Sequence, residues 1–156
     1  MMVSMSDLLL ELLNTTPVVE GVQTELLDGR WMRDHAAGNQ TVADARRLRD
    51  DLQRVVRGEV APTVLASYLR GATRTPAVAD DGITWTLNAD WPARMVLAWG
   101  ELQADMPGRL RPCANDECRL FLLDRSRSGT GRWCSMSECG NRMKARRHYS
   151  RARRNG

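Results

Sequence analysis

Cysteine is absent from the chain before Cys113, and the four that follow, Cys113, Cys118, Cys134 and Cys139, are all it has. Phenylalanine occurs once, at Phe121, against five tryptophans, and histidine only at His35 and His148. No apolar run approaches the roughly 20 residues that a helix needs to cross a bilayer. The Leu8-Leu9-Leu10 run is short, broken by Glu11 and preceded by Asp7 instead of a basic stretch. We therefore read no signal peptide and expect a cytoplasmic protein. Catalytic signatures are missing as well. There is no phosphate-binding glycine loop, no zincin motif, no Cys–His nucleophile arrangement and no convincing carboxylate pair. Asp80-Asp81 belongs to a turn signal, and the chain is not expected to be an enzyme. No internal repeat is present, and the only biased stretch is an arginine-rich end.

What the sequence does have is a division of charge. Residues 1–108 hold 10 basic and 15 acidic side chains, a net −5, whereas residues 109–156 hold 13 and 4, a net +9, for +4 overall. Asymmetry of this kind points to an anionic partner for one segment only. Nucleic acid is the usual one, ahead of an anionic membrane surface.

Residues 1–108 read as a small mixed α/β domain. Residues 6–13 fit strand or helix, and pattern alone does not decide. Asn14-Thr15-Thr16-Pro17 breaks the chain, and a short helix is expected around Asp28–Ala37, before Gly38-Asn39. Thr41 caps a further helix in which Val42, Ala45, Leu48, Leu52, Val55 and Val56 recur at helical spacing up to Gly58. Arg46, Arg47, Arg49, Asp50, Asp51 and Arg54 are expected on its solvated face. A shorter helix around Pro62–Arg70 would bury Leu65, Tyr68 and Leu69. Ile83, Trp85 and Leu87 alternate with Thr84, Thr86 and Asn88, which predicts a half-buried strand. Asp80-Asp81-Gly82 is a turn, with Ala77–Ala79 as the partner strand. Asp90 caps a last helix, with Pro92 in its first turn and Met95, Trp99, Leu102 and Met106 as its apolar stripe. Pro107-Gly108 stops it and marks the expected domain boundary.

The cysteines of residues 109–156 are spaced Cys-x4-Cys, fifteen residues, Cys-x4-Cys. Disulfides rarely persist in the cytosol, so this pattern reads as metal binding. Four thiolates in two pairs suit one tetrahedral, closed, structural zinc ion. All four positions are then filled by protein, which argues against catalysis at the metal. An iron–sulfur cluster uses the same ligand type, but the hairpin-like spacing fits it less well. Leu120–Leu123 is expected to pair across a Ser126–Gly131 turn with Arg132–Cys134, and a helix follows from between Ser135 and Asn141 to about Arg153. This gives a treble-clef-like or ribbon-like module within an α+β chain. Its core would be small, chiefly Leu110, Leu120, Phe121, Leu122, Leu123, Trp133, Met136 and Met143. A domain of that size needs a staple such as zinc. His148 lies outside the cysteine pairs and reads as a surface helix residue; His35 is given no role.

Arg142, Lys144, Arg146, Arg147, Arg151, Arg153 and Arg154 follow the last cysteine pair. Arg142, Arg146 and Arg153 share one helix face, and Lys144, Arg147, Arg151 and Arg154 another. Such a helix neutralises phosphates, and arginine also reads guanine edges. Arg125, Arg127 and Arg132 would add phosphate contacts from the hairpin tip. Arg153–Gly156 are expected to order only on meeting phosphate.

The segments Arg111-Pro112-Cys113-Ala114-Asn115-Asp116-Glu117-Cys118, Phe121-Leu122-Leu123-Asp124-Arg125-Ser126, Arg132-Trp133-Cys134-Ser135-Met136 and Cys139-Gly140-Asn141-Arg142 resemble the CGNR zinc finger over about residues 109–153. In that family the finger follows an α/β domain, ABATE, in proteins described as stress-induced transcription regulators. Residues 1–108 resemble ABATE more loosely, through Leu12-Leu13-Asn14-Thr15 and the Thr41–Arg57 and Trp91–Met106 helices. Residues 17–40 depart from the family's pattern of a clearer strand and a longer helix. The resemblance implies a regulator that binds double-stranded DNA through Arg142, Lys144, Arg146, Arg147, Arg151 and Arg153, while the N-terminal domain senses a signal or forms a homodimer. Two other readings stand beside it: an RNA-binding or ribosome-associated module, and a protein-interaction adaptor in which zinc is a staple only. In the turn itself, Gly140 is expected to allow close backbone approach near the thiolates. Asn141 would hydrogen-bond locally at the helix start, and Arg142 would offset thiolate charge or contact DNA.

Overall fold

Leucine spacing sets the core. In the computed structural model, which describes residues 4–154, α1 (Met5–Leu13) starts where the Ser4 side chain accepts the Asp7 amide, so residues 6–13 are helix and not strand. Leu9, Leu12 and Leu13 are fully buried on one side of it. A two-residue ribbon follows, β1 (Val18–Val19) against β2 (Val22–Gln23). The next helix, α2 (Gly29–Asp34), is capped by Asp28 and is shorter than expected at its C-terminal end. Ala36 and Gly38 take positive φ, which ends regular helix.

The expected Thr41 cap starts α3 (Val42–Val56), with the Thr41 hydroxyl accepting the Asp44 amide. Ala45, Leu48, Leu52 and Val55 are buried as the spacing predicts. Arg49 overturns the expectation of a solvated face, being only 3% exposed. Its guanidinium donates to Glu25 Oε1 at 2.6 Å, to Asp50 Oδ1 at 2.9 Å and to Thr15 Oγ1 at 3.1 Å. A buried cation is tolerated where ion pairs and hydrogen bonds satisfy it, and two of these partners, Glu25 and Thr15, come from a segment that the helix pattern does not reveal.

Pro62–Leu69 forms a 3-10 helix in which Leu65 is buried and Tyr68 half-buried, while Leu69 faces solvent, contrary to expectation. The tighter winding eclipses residues three apart and turns Leu69 away from the face that seats Leu65. β3 (Thr73–Ala79) and β4 (Gly82–Asn88) then make the expected hairpin across Asp80-Asp81, with Val78 opposite Ile83 and Pro76 opposite Trp85. It is not half-buried: every residue of both strands is exposed. Alternation shows that a strand has two faces; whether either is covered depends on what lies beside it.

α4 (Trp91–Asp105) begins at the Asp90 cap and buries Trp91, Met95, Val96 and Leu102 against α1 and α3. Trp99 and Met106 are only partly buried. Each fully buried large apolar side chain stabilises the fold by about 1.5–3 kcal/mol. No helix among the described residues is long and apolar enough to cross a membrane.

The C-terminal part joins this core directly. β5 (Leu110–Pro112) pairs antiparallel with β6 (Phe121–Leu123), so Arg132–Cys134 is not the return strand that the sequence predicted. Leu110 and Phe121 are drawn into the same cluster as the N-terminal helices, and this selects the pairing. Met136, expected in a separate small core, is 53% exposed. The chain ends in α5 (Asn141–Arg154). Of the residues expected to order on phosphate, Arg153 and Arg154 are already helical, and Asn155 and Gly156 lie outside the described residues. The architecture is mixed α and β, with a four-cysteine cluster and a terminal helix at its C-terminal end.

Asn14 couples the two parts. Its Oδ1 accepts the Phe121 amide at 2.7 Å, and its Nδ2 donates to the Phe121 carbonyl at 3.2 Å. Asn14→Ala leaves both backbone groups unmatched and should cost about 2–3 kcal/mol. Urea unfolding of the two proteins checks this through a lower midpoint at unchanged slope.

Candidate metal centre and basic helix

Two turns bring the cysteines together. The first runs from the end of β5. The Cys113 amide donates to the Leu120 carbonyl at 2.9 Å, and the Cys118 amide to the Asn115 carbonyl at 2.8 Å, which folds residues 113–118 into a tight knuckle. The second runs alongside it. The Ala114 amide donates to the Arg132 carbonyl at 2.8 Å, setting Cys134 beside Cys113. Ser135 then caps a wide helical turn over Met136–Gly140 that carries Cys139.

The four sulfurs lie within 4.8 Å of one another. Sγ of Cys134 is 3.7 Å from that of Cys118 and 3.6 Å from that of Cys139. A tetrahedron with metal–sulfur bonds of about 2.3 Å has edges of about 3.8 Å, so these separations match a tetrathiolate site. All four cysteines are free thiols. Burial, with neighbouring thiols added, pushes Cys118 up to about 11 and Cys134 higher still. Cys139 is also buried, but hydrogen bonds from Asn115 and the other thiols bring it below its ordinary value. Four sulfurs this close, in an interior that disfavours thiolate charge, need a cation to ionise together. The donor set fits a zinc-type ion.

The surrounding groups are arranged for sulfur charge. Asn115, 1% exposed, donates Nδ2–H to Cys139 Sγ at 3.4 Å, and the Cys134 amide donates to Cys113 Sγ at 3.4 Å. Asn115 Oδ1 also accepts the Glu117 amide at 3.3 Å, so one side chain shapes the knuckle and faces the metal site. In the sequence Asn115 stands out only as a member of a motif. The signal that would have found it is an asparagine between paired cysteines, where its amide can turn back on the loop. Asn115→Ala should weaken metal affinity about 10- to 100-fold, measurable by competition with a chromogenic chelator.

Gly140 has a different reason from the expected one. A Cβ there would lie 2.8 Å from Met136 Sδ in the same turn and 3.3 Å from Trp133 Cδ1 just before it, so the tight neighbours are side chains. Asn141 hydrogen-bonds locally, its Nδ2 donating to the Ser137 carbonyl at 3.4 Å. Arg142 borders a cleft of about 610 Å³ with Glu117, Cys118 and Cys139, beside the thiolates.

Asp124 anchors the loop between β6 and Cys134. Its carboxylate accepts the Ser126 hydroxyl at 2.6 Å, the Gly131 amide at 2.8 Å and Arg111 Nη2 at 2.6 Å. Ser126 and the other donors hold its carboxyl down at about 2. The stabilisation is present above the ordinary carboxylate range and is lost only as pH falls toward 2. A Cβ on Gly131 would meet this carboxylate at 2.9 Å.

Along α5 no residue is buried. Arg142, Lys144, Arg147, Arg151, Arg153 and Arg154 are exposed. Arg146 is exposed too, but forms an ion pair with Glu117 of the first knuckle. The hairpin-tip arginines divide. Arg125 is tied to Asp7 Oδ1 at 2.5 Å, Arg132 lies over the Trp133 ring at 5.2 Å, and Arg127 is exposed.

Residues 109–152 match the CGNR zinc finger. No curated protein matches the chain. With four cysteines positioned for one ion, this segment is a zinc-finger module.

Proposed function

We propose that the chain is a DNA-binding transcription regulator of the cytoplasm, acting by binding and not by catalysis, in which a structural Zn²⁺ on Cys113, Cys118, Cys134 and Cys139 fixes the start of α5 against duplex DNA. The observation that carries this reading is the helix itself: an arginine-rich element with no buried residue that leaves the metal-bearing turn directly at Asn141. Arg142, Lys144, Arg147, Arg151 and Arg153 are then the phosphate and base contacts, and Arg146 also braces the helix on Glu117. Zinc supplies folding free energy and screens the thiolates; the cations of this chain make the contacts. Residues 1–108, resembling ABATE, form the sensing part.

One observation favours a second reading. Tyr149 is 71% exposed among these cations and offers a stacking surface of the kind that single-stranded RNA uses. Fluorescence anisotropy separates the two. Zinc-loaded protein bound to a labelled duplex should be displaced by unlabelled duplex DNA at lower concentration than by structured RNA. Displacement in the opposite order replaces the DNA reading with the RNA one.

A further inference from the structure

The β3–β4 hairpin carries a feature that the zinc module does not account for. Directly opposed residues of an antiparallel pair point to the same face. The register therefore places Val78, Ile83, Pro76, Trp85, Arg74 and Leu87 on one side of the ribbon, and Thr75, Thr86, Ala77 and Thr84 on the other. The first side is apolar and open: Val78 is 90% exposed, Ile83 66%, Trp85 53% and Leu87 41%. An isolated two-stranded ribbon is only marginally stable in water, and so much uncovered apolar surface marks a contact site.

Charge identifies the occupant. The tip carries Asp80 and Asp81, and the base carries Arg74, with Arg70 just before the strand. None of these four has an ion pair among the described residues. Arg74 and Asp80 are about 20 Å apart along the ribbon, so they cannot meet within one copy. They do meet if two ribbons lie face to face and antiparallel. A two-fold axis at the Ala77–Thr84 pair sets Pro76 and Trp85 of one copy over Val78 and Ile83 of the other, and Arg74 over Asp80. Each acidic tip then falls beside the other copy's basic base. Arg74, whose guanidinium lies 5.3 Å from the centre of its own Trp85 ring, sits within that contact. An acidic tip is wrong for nucleic acid or an anionic membrane.

We propose that this hairpin face is an isologous dimer interface, with a second copy of the chain as its occupant. The contact is small, so self-association is weak and depends on concentration.

Charge reversal tests it on the full, metal-loaded chain by sedimentation. Wild type should rise from 17.6 kDa toward twice that mass as concentration increases. Asp80→Lys with Asp81→Lys, and separately Arg74→Glu, should each weaken self-association about tenfold or more. Mixed together, these two proteins form a pair in which both tip-to-base contacts are again opposite in sign, so association should return to within about threefold of wild type. Circular dichroism and metal content of each protein confirm that the fold is kept. A wild type that stays at 17.6 kDa overturns the proposal. So does undiminished self-association of the variants, or a mixture no better than either alone.

Discussion

Chelation of the metal is expected to strip protection from residues 113–120 and 130–154 while leaving α1, α3 and α4 intact. Metal binding contributes folding free energy on the order of 10–16 kcal/mol in isolated zinc-finger peptides, more than the local contacts of this segment can replace. The two knuckles hold few backbone hydrogen bonds between them, chiefly Ala114 to Arg132 and Cys134 to Cys113 Sγ. β5 and β6 are placed differently. Leu110 and Phe121 sit in the main core, and Asn14 grips the Phe121 backbone, so this strand pair should outlast the knuckles. Hydrogen exchange read peptide by peptide tests the division. Cys139→Ser should reproduce the effect of chelation, since it removes one thiolate and the acceptor of Asn115. Exchange unchanged by chelation would mean that the finger is held by packing, and the metal would lose its structural role.

The second large effect concerns α5. Replacing Lys144, Arg147 and Arg151 together by alanine should flatten the dependence of log Kd on log salt by about 2.7, at about 0.9 per lost phosphate contact. At physiological salt the loss of DNA affinity should be 100-fold or more on the order-of-magnitude scale of such contacts. These three carry no ion pair among the described residues, so their removal leaves the finger's own contacts in place. Arg146 makes a poorer probe, because its loss also frees Glu117. Equal salt slopes for the two proteins would show that α5 does not touch phosphate.

The metal centre was legible because thiolate chemistry is written in spacing. Two Cys-x4-Cys pairs in a chain otherwise free of cysteine leave few arrangements, and the sulfurs do converge. Helices with strong caps were legible too: Thr41 and Asp90 each accept the amide that the sequence assigns them. What was hidden depended on neighbours distant in sequence. Arg49 looks like one more surface cation until Glu25 and Thr15 are brought to it. The Ile83-Trp85-Leu87 alternation announces an apolar face but not that it stays largely uncovered among the described residues. Phe121 chose β5 as its partner because the N-terminal core lay there, and a local hairpin reading has no access to that core.

Native mass spectrometry of the protein purified under reducing conditions tests whether one metal ion on four thiolates organises the start of the basic helix. One zinc ion per chain is expected, with four thiols that resist alkylation until the metal is chelated. A metal-free chain with four freely alkylated thiols, or one carrying two disulfides, would contradict it.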